Sequence, residues 1–283
     1  MIEKIFDGHI FEYPDGRTYH LGIRGEEIST YMLTMGSESR LKNVYNRLEE
    51  PIEGGERLRW VSGYYGDIKV FAFSSGMGVG SALITISEAL KKVSDSMGHT
   101  YLIRIGTAGP LQEIPKYSIV VAKSVVRNES GTRHIVFGEY PADMDPIVYL
   151  STLKSAIRHG YTYGRNLFLG KVETKDDLYY QEGFHNSPVG NINKARYEAM
   201  SMMGVLATDM EASTLPILRD YFNTRYKTRI YVGAVLLILK GIEEDIGGRE
   251  EILVDIGLDA LATIDRFLKG EDEVTDVLRF ISS

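Results

Sequence analysis

The stretch Tyr101-Leu-Ile-Arg-Ile-Gly-Thr-Ala-Gly-Pro110 begins with a short, mostly apolar run that ends at glycines. Such a run is typical of a buried strand, here residues 101–105, followed by a turn that begins at Gly106. Arg104 lies within the run, and a buried guanidinium is costly unless an anion meets it. The anion is either an internal carboxylate or a ligand phosphate, which Arg104, the Thr107 hydroxyl and backbone N–H groups at the strand end would bind. These ten residues alone leave both possibilities open.

Predicted strands and helices alternate on both sides of this strand. Apolar or alternating runs predict further strands at 29–35, 68–74, 117–126, 163–172, 205–210 and 230–239. Helices are predicted at 36–50, 83–93, 145–159, 195–203, 215–222 and 252–268, with a short one at 274–281, and a loop is predicted at 51–55. This alternation is typical of an α/β protein with a largely parallel central sheet. We expect a single domain over residues 1–283, with 1–27 as an N-terminal arm outside the core.

The composition excludes several classes of function. The chain carries a net charge of −7, whereas a surface that coats nucleic acid needs a basic face. It has no cysteine, which excludes disulfides, zinc–thiolate sites and cysteine nucleophiles, and its histidines form no pair at metal-ligand spacing. No apolar run approaches the length of a membrane span, and the N-terminal residues lack a signal-peptide core. We therefore expect a cytoplasmic protein that holds no metal and binds neither nucleic acid nor membrane.

The segment Gly36-Ser-Glu-Ser-Arg40 joins a predicted strand to a predicted helix. Free N–H groups and the helix dipole favour anions at the start of a helix, and Arg40 could bind the same anion one turn later. A helix cap by Ser37 or Ser39, followed by a surface arginine, explains the segment as well and is the commoner arrangement.

Two further segments follow predicted strands. In Ser75-Gly-Met-Gly-Val-Gly-Ser81, three alternate glycines form a tight strand–helix turn or allow close backbone approach to a ligand, and their spacing matches neither a dinucleotide fingerprint nor a P-loop. Asp209-Met-Glu-Ala212 lies where ligands bind in open α/β sheets. Asp209 fits a helix cap, whereas Glu211 is suited to accept hydrogen bonds from two neighbouring sugar hydroxyls.

Together these segments resemble the nucleoside phosphorylase family of the uridine phosphorylase and hexameric purine nucleoside phosphorylase type. The resemblance covers about residues 19–268, with the segments in the family's order and at similar separations. The matching segments are Tyr19-His-Leu-Gly22, Gly36-Ser-Glu-Ser-Arg40, Ser74-Ser-Gly-Met-Gly78, Ile103-Arg-Ile-Gly-Thr-Ala-Gly109 and Asp209-Met-Glu-Ala212. The resemblance implies a three-layer αβα sandwich with a mixed, largely parallel central sheet.

The resemblance also implies roles for individual residues. The phosphate site would comprise Gly36, Arg40, Arg104, Thr107 and, from a neighbouring subunit, Arg57, for which Arg59 is the alternative. The ribose site would comprise Met210, Glu211 and, from the neighbouring subunit, His20. The base site would comprise Tyr179, which stacks on the base, and Gln181 and Lys240, which form hydrogen bonds with it. Sites shared in this way require at least a dimer, and the family suggests a homohexamer built as a trimer of dimers.

The activity that the resemblance implies is reversible phosphorolysis of a ribonucleoside, with inorganic phosphate as co-substrate and no cofactor. Two departures from the family pattern bear on the base: Leu239-Lys-Gly241 lacks the aspartate with which the purine enzymes protonate the leaving group, and Gln181-Glu-Gly-Phe-His185 alters the uridine phosphorylase segment. A pyrimidine is favoured, and uridine is the expected substrate. The alternatives are a purine nucleoside phosphorylase, a nucleosidase of the same fold, and a non-catalytic nucleoside-binding protein.

Overall fold

A mixed β-sheet forms the centre of the molecule, and the structure, a computed structural model, describes residues 10–241 and 246–277. The central strands are rich in valine, isoleucine and leucine on both faces, as expected for strands that are covered on both sides. In this part of the chain the strands are β1 (Tyr31–Met35), β2 (Glu49–Gly54), β3 (Trp60–Tyr65), β4 (Ile68–Ser74), β5 (His99–Pro110), β6 (Ile119–Asn128), β7 (Leu167–Lys175), β8 (Ala207–Asp209) and β9 (Arg229–Ile238).

Helices cover both faces of the sheet. They are α1 (Glu38–Tyr45), α2 (Gly78–Ser96), α3 (Pro146–Arg158), α4 (Gly190–Met202), α5 (Thr214–Tyr226) and α6 (Gly247–Leu268), with 3₁₀ turns at Gly131–His134 and Thr275–Val277. Two separate cores result, one that includes Ile86 of α2 and Phe222 of α5, and one that includes Leu153 of α3 and Leu261 of α6. The predicted α/β class, with a central sheet between helices, is confirmed.

β5 is the strand at which the sheet closes on itself. The strand order is β2-β3-β4-β1-β5-β8-β7-β6-β9, and β9 also pairs with β5. The strands β5, β8, β7, β6 and β9 therefore form a closed ring, from which β1 to β4 extend. β5 runs parallel to β1 and β9 and antiparallel to β8, so the sheet is mixed. Arg104 in the middle of β5 pairs with β1 on one side and β9 on the other, and the strand continues through Thr107 to its pairing with β8.

Three local predictions were wrong. The turn predicted at Gly106 is strand, because residues 106–108 pair with Leu236–Ile238 of β9 and the next two residues pair with β8. The loop predicted at 51–55 lies largely in β2, which forms a hairpin with β3. The arm is not wholly outside the core, since Leu21 and Ile23 are fully buried.

The predicted helix at 274–281 is described only as far as residue 277, and the rest of it lies outside the described residues. Within the two described ranges, no helix has the length and apolar character that crossing a membrane requires.

Candidate active site

Arg104 lies in the middle of β5 with its side chain buried. Its Nε donates to Asp209 Oδ2 at 3.0 Å, and its Nη2 donates to Glu211 Oε2. Its Nη1 is buried and has no hydrogen-bond partner among the residues that the structure describes. The internal carboxylates that the sequence left as one possibility are therefore present. They use two of the guanidinium nitrogens, and the third remains able to donate to a ligand.

The surroundings of Arg104 keep it charged and fix its position. Burial works against the charge, but the carboxylates of Glu211 and Asp209 together raise the pKa of Arg104 above its ordinary value. A Cβ on Gly106 would lie 2.9 Å from Arg104 Nη2 and 3.0 Å from Leu236 Cδ2. Gly106 is therefore needed because the guanidinium lies against it.

Arg40 is a second buried guanidinium, on α1. Its Nη1 donates to Glu250 Oε1 at 2.9 Å, and its Nε has no hydrogen-bond partner within residues 10–241 and 246–277. Burial lowers the pKa of Arg40, the Glu250 carboxylate opposes this effect, and the positive charge of Arg104 adds to it. Two arginines that lie close enough to repel, each with a spare N–H, form an arrangement that favours an anion between them.

Two turns meet near these arginines. β1 is parallel to both β4 and β5, and it ends level with Ser74 of β4 and one residue after its pairing with Arg104 of β5. A Cβ on Gly36 would lie 3.1 Å from the Gly76 carbonyl oxygen, which shows that the turns after β1 and β4 touch. Ser39 N–H donates to Ser37 Oγ at 3.2 Å, so the predicted serine cap of α1 is also present. The carboxyl ends of strands are where open α/β sheets bind ligands.

The segment after β8 supplies the carboxylates. Glu211 Oε1 accepts from the Gly78 N–H at the start of α2, at 2.6 Å. Asp209 accepts from the Ala212 N–H at 3.0 Å and from Thr174 Oγ1 at 2.7 Å. The helix cap predicted for Asp209 is wrong, because α5 starts at Thr214 with Ser213 at its N-cap, and Asp209 instead closes the turn before that helix. Met210 lies half-buried between the two acids. Since a carboxylate has about four lone-pair positions, Glu211 can still accept from sugar hydroxyls.

Thr107 lies three residues beyond Arg104 on β5, where it is half-buried and pairs with Leu237 of β9. Because the strand continues past Gly106, Thr107 is a strand residue rather than a turn residue. The predicted turn position of Thr107 is therefore wrong, and its role as a phosphate ligand stays a prediction.

The two residues assigned to a neighbouring subunit lie together. The His20 carbonyl accepts from the Arg57 N–H at 2.9 Å, and Arg57 Nη2 donates to Tyr19 Oη at 2.8 Å. The Arg57 guanidinium also stacks over the Tyr19 ring, 4.8 Å from its centroid. Arg59, the alternative candidate, pairs instead with Glu53 on the exposed β2–β3 hairpin. The structure therefore favours Arg57 as the companion of His20.

Glu88 on α2 orients His20. Its buried carboxylate accepts from the backbone N–H groups of His20 and Leu21 at 2.9 Å each, and it contacts His20 Nδ1 at 2.7 Å. A carboxylate bound to Nδ1 fixes the ring and leaves Nε2 for another partner. Glu88 is a functional candidate that the sequence does not reveal.

A cavity of about 730 Å³ lies beside the end of β5. Gln181 and Lys240 both line it, so two residues from segments that are distant in the chain share one wall. Tyr179 does not line it: the side chain is 55% exposed, and its ring lies 5.6 Å from that of His185. The lining also includes Gly109, Glu182 and Thr208.

The Gln181 amide is largely engaged within its own loop. Its Oε1 accepts from the N–H groups of Asp176 and Asp177 at 3.0 and 3.1 Å, and its Nε2 donates to the Asn128 carbonyl at 2.8 Å. One amide hydrogen is left for a ligand. The side chain therefore holds the loop in place, a role that the sequence does not reveal.

A polar network that the sequence does not predict adjoins this cavity. Lys175 Nζ donates to Thr208 Oγ1 at 3.0 Å and pairs with Glu182, and Thr208 in turn donates to Glu173. Burial raises the pKa of Glu173 to about 7, although hydrogen bonds from Thr208 and Asn128 oppose it. A signal was present: Glu173-Thr-Lys175 puts two charges at the end of an apolar strand, the same anomaly that singles out Arg104.

The family model of the phosphorylase superfamily matches residues 30–226, which is more than half of the chain. The chain belongs to the phosphorylase superfamily. The matched range includes β1 to β8 and the residues Arg40, Arg104 and Glu211, whereas β9, which closes the sheet on β5, follows it.

Individual relatives include uridine phosphorylases and purine nucleoside phosphorylases. Uridine phosphorylase of Treponema pallidum (strain Nichols) is 27% identical over 243 residues, which cover 83% of this chain and 87% of the relative. The DeoD-type purine nucleoside phosphorylase of Geobacillus stearothermophilus is 29% identical over 209 residues, which cover 73% of this chain and 82% of the relative. The crystal structure of uridine phosphorylase from Vibrio fischeri ES114 matches with a TM-score of 0.70 at 18% identity, over 89% of this chain and 99% of that one. The resemblance stated from sequence is thereby confirmed.

Proposed function

We propose that this protein catalyses the reversible phosphorolysis of a ribonucleoside, with uridine as the preferred substrate. The observation that carries the proposal is the pair of buried arginines, Arg104 and Arg40, each with an unused N–H group, beside the carboxylate of Glu211. A phosphate and a sugar diol are the ligands that suit such a set of charges. Membership of the phosphorylase superfamily supports the same reaction.

The phosphate side of the site acts mainly by orientation. Phosphate is already a nucleophile, so Arg104, Arg40 and the Thr107 hydroxyl hold its charge and direct one oxygen at the anomeric carbon. The C1′–O bond to phosphate forms as the C1′–N bond to the base breaks. The bound phosphate also stabilises the positive charge that develops on the sugar.

The opposite side of the site binds the sugar and the leaving base. Glu211 accepts hydrogen bonds from the ribose hydroxyls and so fixes the anomeric carbon against the phosphate. The electron pair of the broken C1′–N bond leaves with the base. In uracil this charge spreads to the carbonyl oxygens, to which Lys240 donates, and the anion then takes a proton from water.

A neighbouring subunit completes the site. His20 on the arm and Arg57 in the β2–β3 turn lie side by side, which fits a role in which both residues enter a partner's site together. His20 would bind the ribose 5′-hydroxyl and Arg57 the phosphate. The assembly is then at least a dimer, and we propose a hexamer built as a trimer of dimers.

A purine nucleoside phosphorylase is the nearest alternative, because relatives of both kinds match the chain. The segment after β9 favours the pyrimidine reaction: Leu239-Lys240 provides a cation and no acid to protonate a purine. A nucleosidase has no use for two arginines around an attacking water. A non-catalytic binder has no need of the phosphate arginines and the sugar carboxylate together.

One assay separates these functions. The purified protein is incubated with uridine, thymidine, inosine or adenosine, with and without phosphate, and free base and ribose 1-phosphate are measured. We expect phosphate-dependent release of uracil to be fastest. Base release without phosphate would indicate a nucleosidase, a preference for inosine or adenosine would indicate the purine enzyme, and no release from any nucleoside would leave a binding protein.

A further inference from the structure

A lysine–glutamate pair forms part of the wall of the cavity. Lys175 is only 2% exposed, and its Nζ contacts the Glu182 carboxylate and Thr208 Oγ1. A buried ammonium carries a large desolvation penalty, so its partners must hold it firmly. Glu182 and Thr208 both line the cavity, whereas Lys175 lies behind them. The lysine therefore acts on the cavity through Glu182.

The pair is fixed relative to the rest of the site. Thr208 accepts from Lys175 and donates to Glu173, so the hydroxyl is committed in both directions. Thr208 precedes Asp209, which binds Arg104. The position of the Glu182 carboxylate is thereby linked, through Lys175, Thr208 and Asp209, to the arginine of the phosphate site.

The cavity lining includes Glu182 and two lysines, Lys194 and Lys240, and the chemistry of a carboxylate and an ammonium indicates what they recognise. An ionised carboxylate only accepts hydrogen bonds, and an ammonium only donates them. Glu182 and Lys240 together therefore match a base edge that presents a ring N–H beside a carbonyl oxygen. Uracil and thymine have such an edge, as do the 6-oxopurines. Cytosine and adenine present a ring nitrogen without hydrogen beside an amino group, which is the reverse pattern.

We propose that Glu182 accepts a hydrogen bond from the ring N–H of the base and so selects oxo bases over amino bases, with Lys175 as its positioning residue. The proposal rests on the proposed phosphorolysis of nucleosides and names the substrate class of that same site. A site built to hydrogen-bond a substrate N–H rejects an analogue without it, because its own polar group is then left unpaired.

The test compares uridine with 3-methyluridine, in which the N3–H is replaced by a methyl group. We expect the wild type to prefer uridine by about 10²-fold or more in kcat/KM. Glu182→Ala should lose most of that preference, because it slows uridine strongly and 3-methyluridine little. Glu182→Gln should raise the ratio of cytidine to uridine turnover, because the amide can donate to the cytosine ring nitrogen.

Controls separate recognition from folding. Lys175→Met should reduce the uridine preference through misplacement of Glu182, whereas Lys171→Met, which alters an exposed lysine on the same strand, should leave it unchanged. Thermal melting of each variant identifies any loss of fold, and the Glu182 variants keep the test decisive if Lys175→Met does not fold. Equal slowing of uridine and 3-methyluridine by Glu182→Ala would overturn the inference, while absence of phosphate-dependent base release by the wild type would overturn the proposed function instead.

Discussion

Arg104 pairs with two buried carboxylates and, in the proposed function, also binds phosphate, and this dictates how it should be tested. Removing the guanidinium would leave the carboxylates of Asp209 and Glu211 unpaired in the interior, a loss of about 3–5 kcal/mol for a broken buried ion pair. Lysine keeps the charge but loses the planar fork of donors. We expect Arg104→Lys to reduce kcat/KM for phosphate by about 10²–10³, because a preorganised donor to the phosphate is lost.

Steady-state kinetics at varied phosphate, together with thermal melting, check this prediction. Arg59→Lys is the matched control, since Arg59 pairs with Glu53 on an exposed surface. The control should retain wild-type kinetics. If Arg104→Lys folds and turns over phosphate at the wild-type rate, Arg104 has no part in binding phosphate.

Glu173 links stability to pH near neutrality. Its pKa is raised, mainly by burial, from 4.5 to about 7, so the folded state holds the proton more tightly than the unfolded chain. Stability should therefore fall as pH rises from about 4.5 to about 7, and then level off once both states are ionised. Glu173→Gln cannot ionise, so we expect it to gain up to about 3 kcal/mol relative to the wild type across this interval.

Chemical denaturation of both proteins at a series of pH values measures the difference. The change at a single pH is less informative, because glutamine also alters the hydrogen bonds from Asn128 and Thr208. Glu198→Gln, on the exposed side of α4, should change the free energy of unfolding with pH in the same way as the wild type. If the stability of Glu173→Gln also depends on pH as that of the wild type does, Glu173 ionises normally in the folded protein.

At the level of elements, β5 places the bulky charged side chain of Arg104 directly against the backbone of Gly106. An alanine at Gly106 would put its Cβ 2.9 Å from Arg104 Nη2 and 3.0 Å from Leu236 Cδ2. Because Leu236 is core, the guanidinium is the group that must move. We expect Gly106→Ala to cost about 1–3 kcal/mol and to raise the KM for phosphate by at least about tenfold.

Denaturation curves and phosphate kinetics test the two effects separately. Gly109→Ala, on the same strand, is the comparison for stability, since its Cβ would meet only Thr208 Cγ2 at an ordinary 3.5 Å. An unchanged KM for phosphate in Gly106→Ala would mean that the position of the Arg104 guanidinium does not limit phosphate binding.

The elements that could be predicted are those whose pattern is local. In α2, the spacing of Leu83, Ile86 and Leu90 predicts one buried face, and Ile86 and Leu90 lie in the core. β2 could not be predicted, because it lies at the sheet edge, its residues are mostly exposed, and it contains Pro51. The extension of β5 past Gly106 depends on pairing with β8 and β9, which are about one hundred residues away in sequence.

The candidate site likewise contains residues that the sequence identifies and residues that it does not. The sequence identifies Arg104 because a charge within an apolar run is a local anomaly. It does not identify the partners, since Asp209 lies 105 residues from Arg104 and Glu250 lies 210 residues from Arg40. Gln181 shows the opposite case, in which the sequence identifies the residue but not how it is already bonded. Its side-chain amide could bind a base, but most of its hydrogen bonds are made to the backbone of Asp176 and Asn128.

At the level of the whole molecule, the residues of the proposed site fall into two groups. Arg104 and Glu211 contact each other at the sheet, and His20 on the arm contacts Arg57 in the β2–β3 turn. Glu88 on α2 fixes the His20 ring through Nδ1, although the sugar that His20 would bind belongs to another subunit. Each chain would therefore give the arm to one site and the sheet edge to another.

Mixed oligomers test this division. Arg104→Lys and His20→Ala should each be poorly active alone, because every site then lacks one of its two halves. When the two variants are co-expressed, a mixed pair contains one site with both defects and one site with neither. Random pairing of equal amounts makes about half of the pairs mixed, so we expect about a quarter of the wild-type sites to be restored. Activity of the purified mixed oligomer that stays at the average of the two parent variants would mean that His20 acts on the site of its own chain.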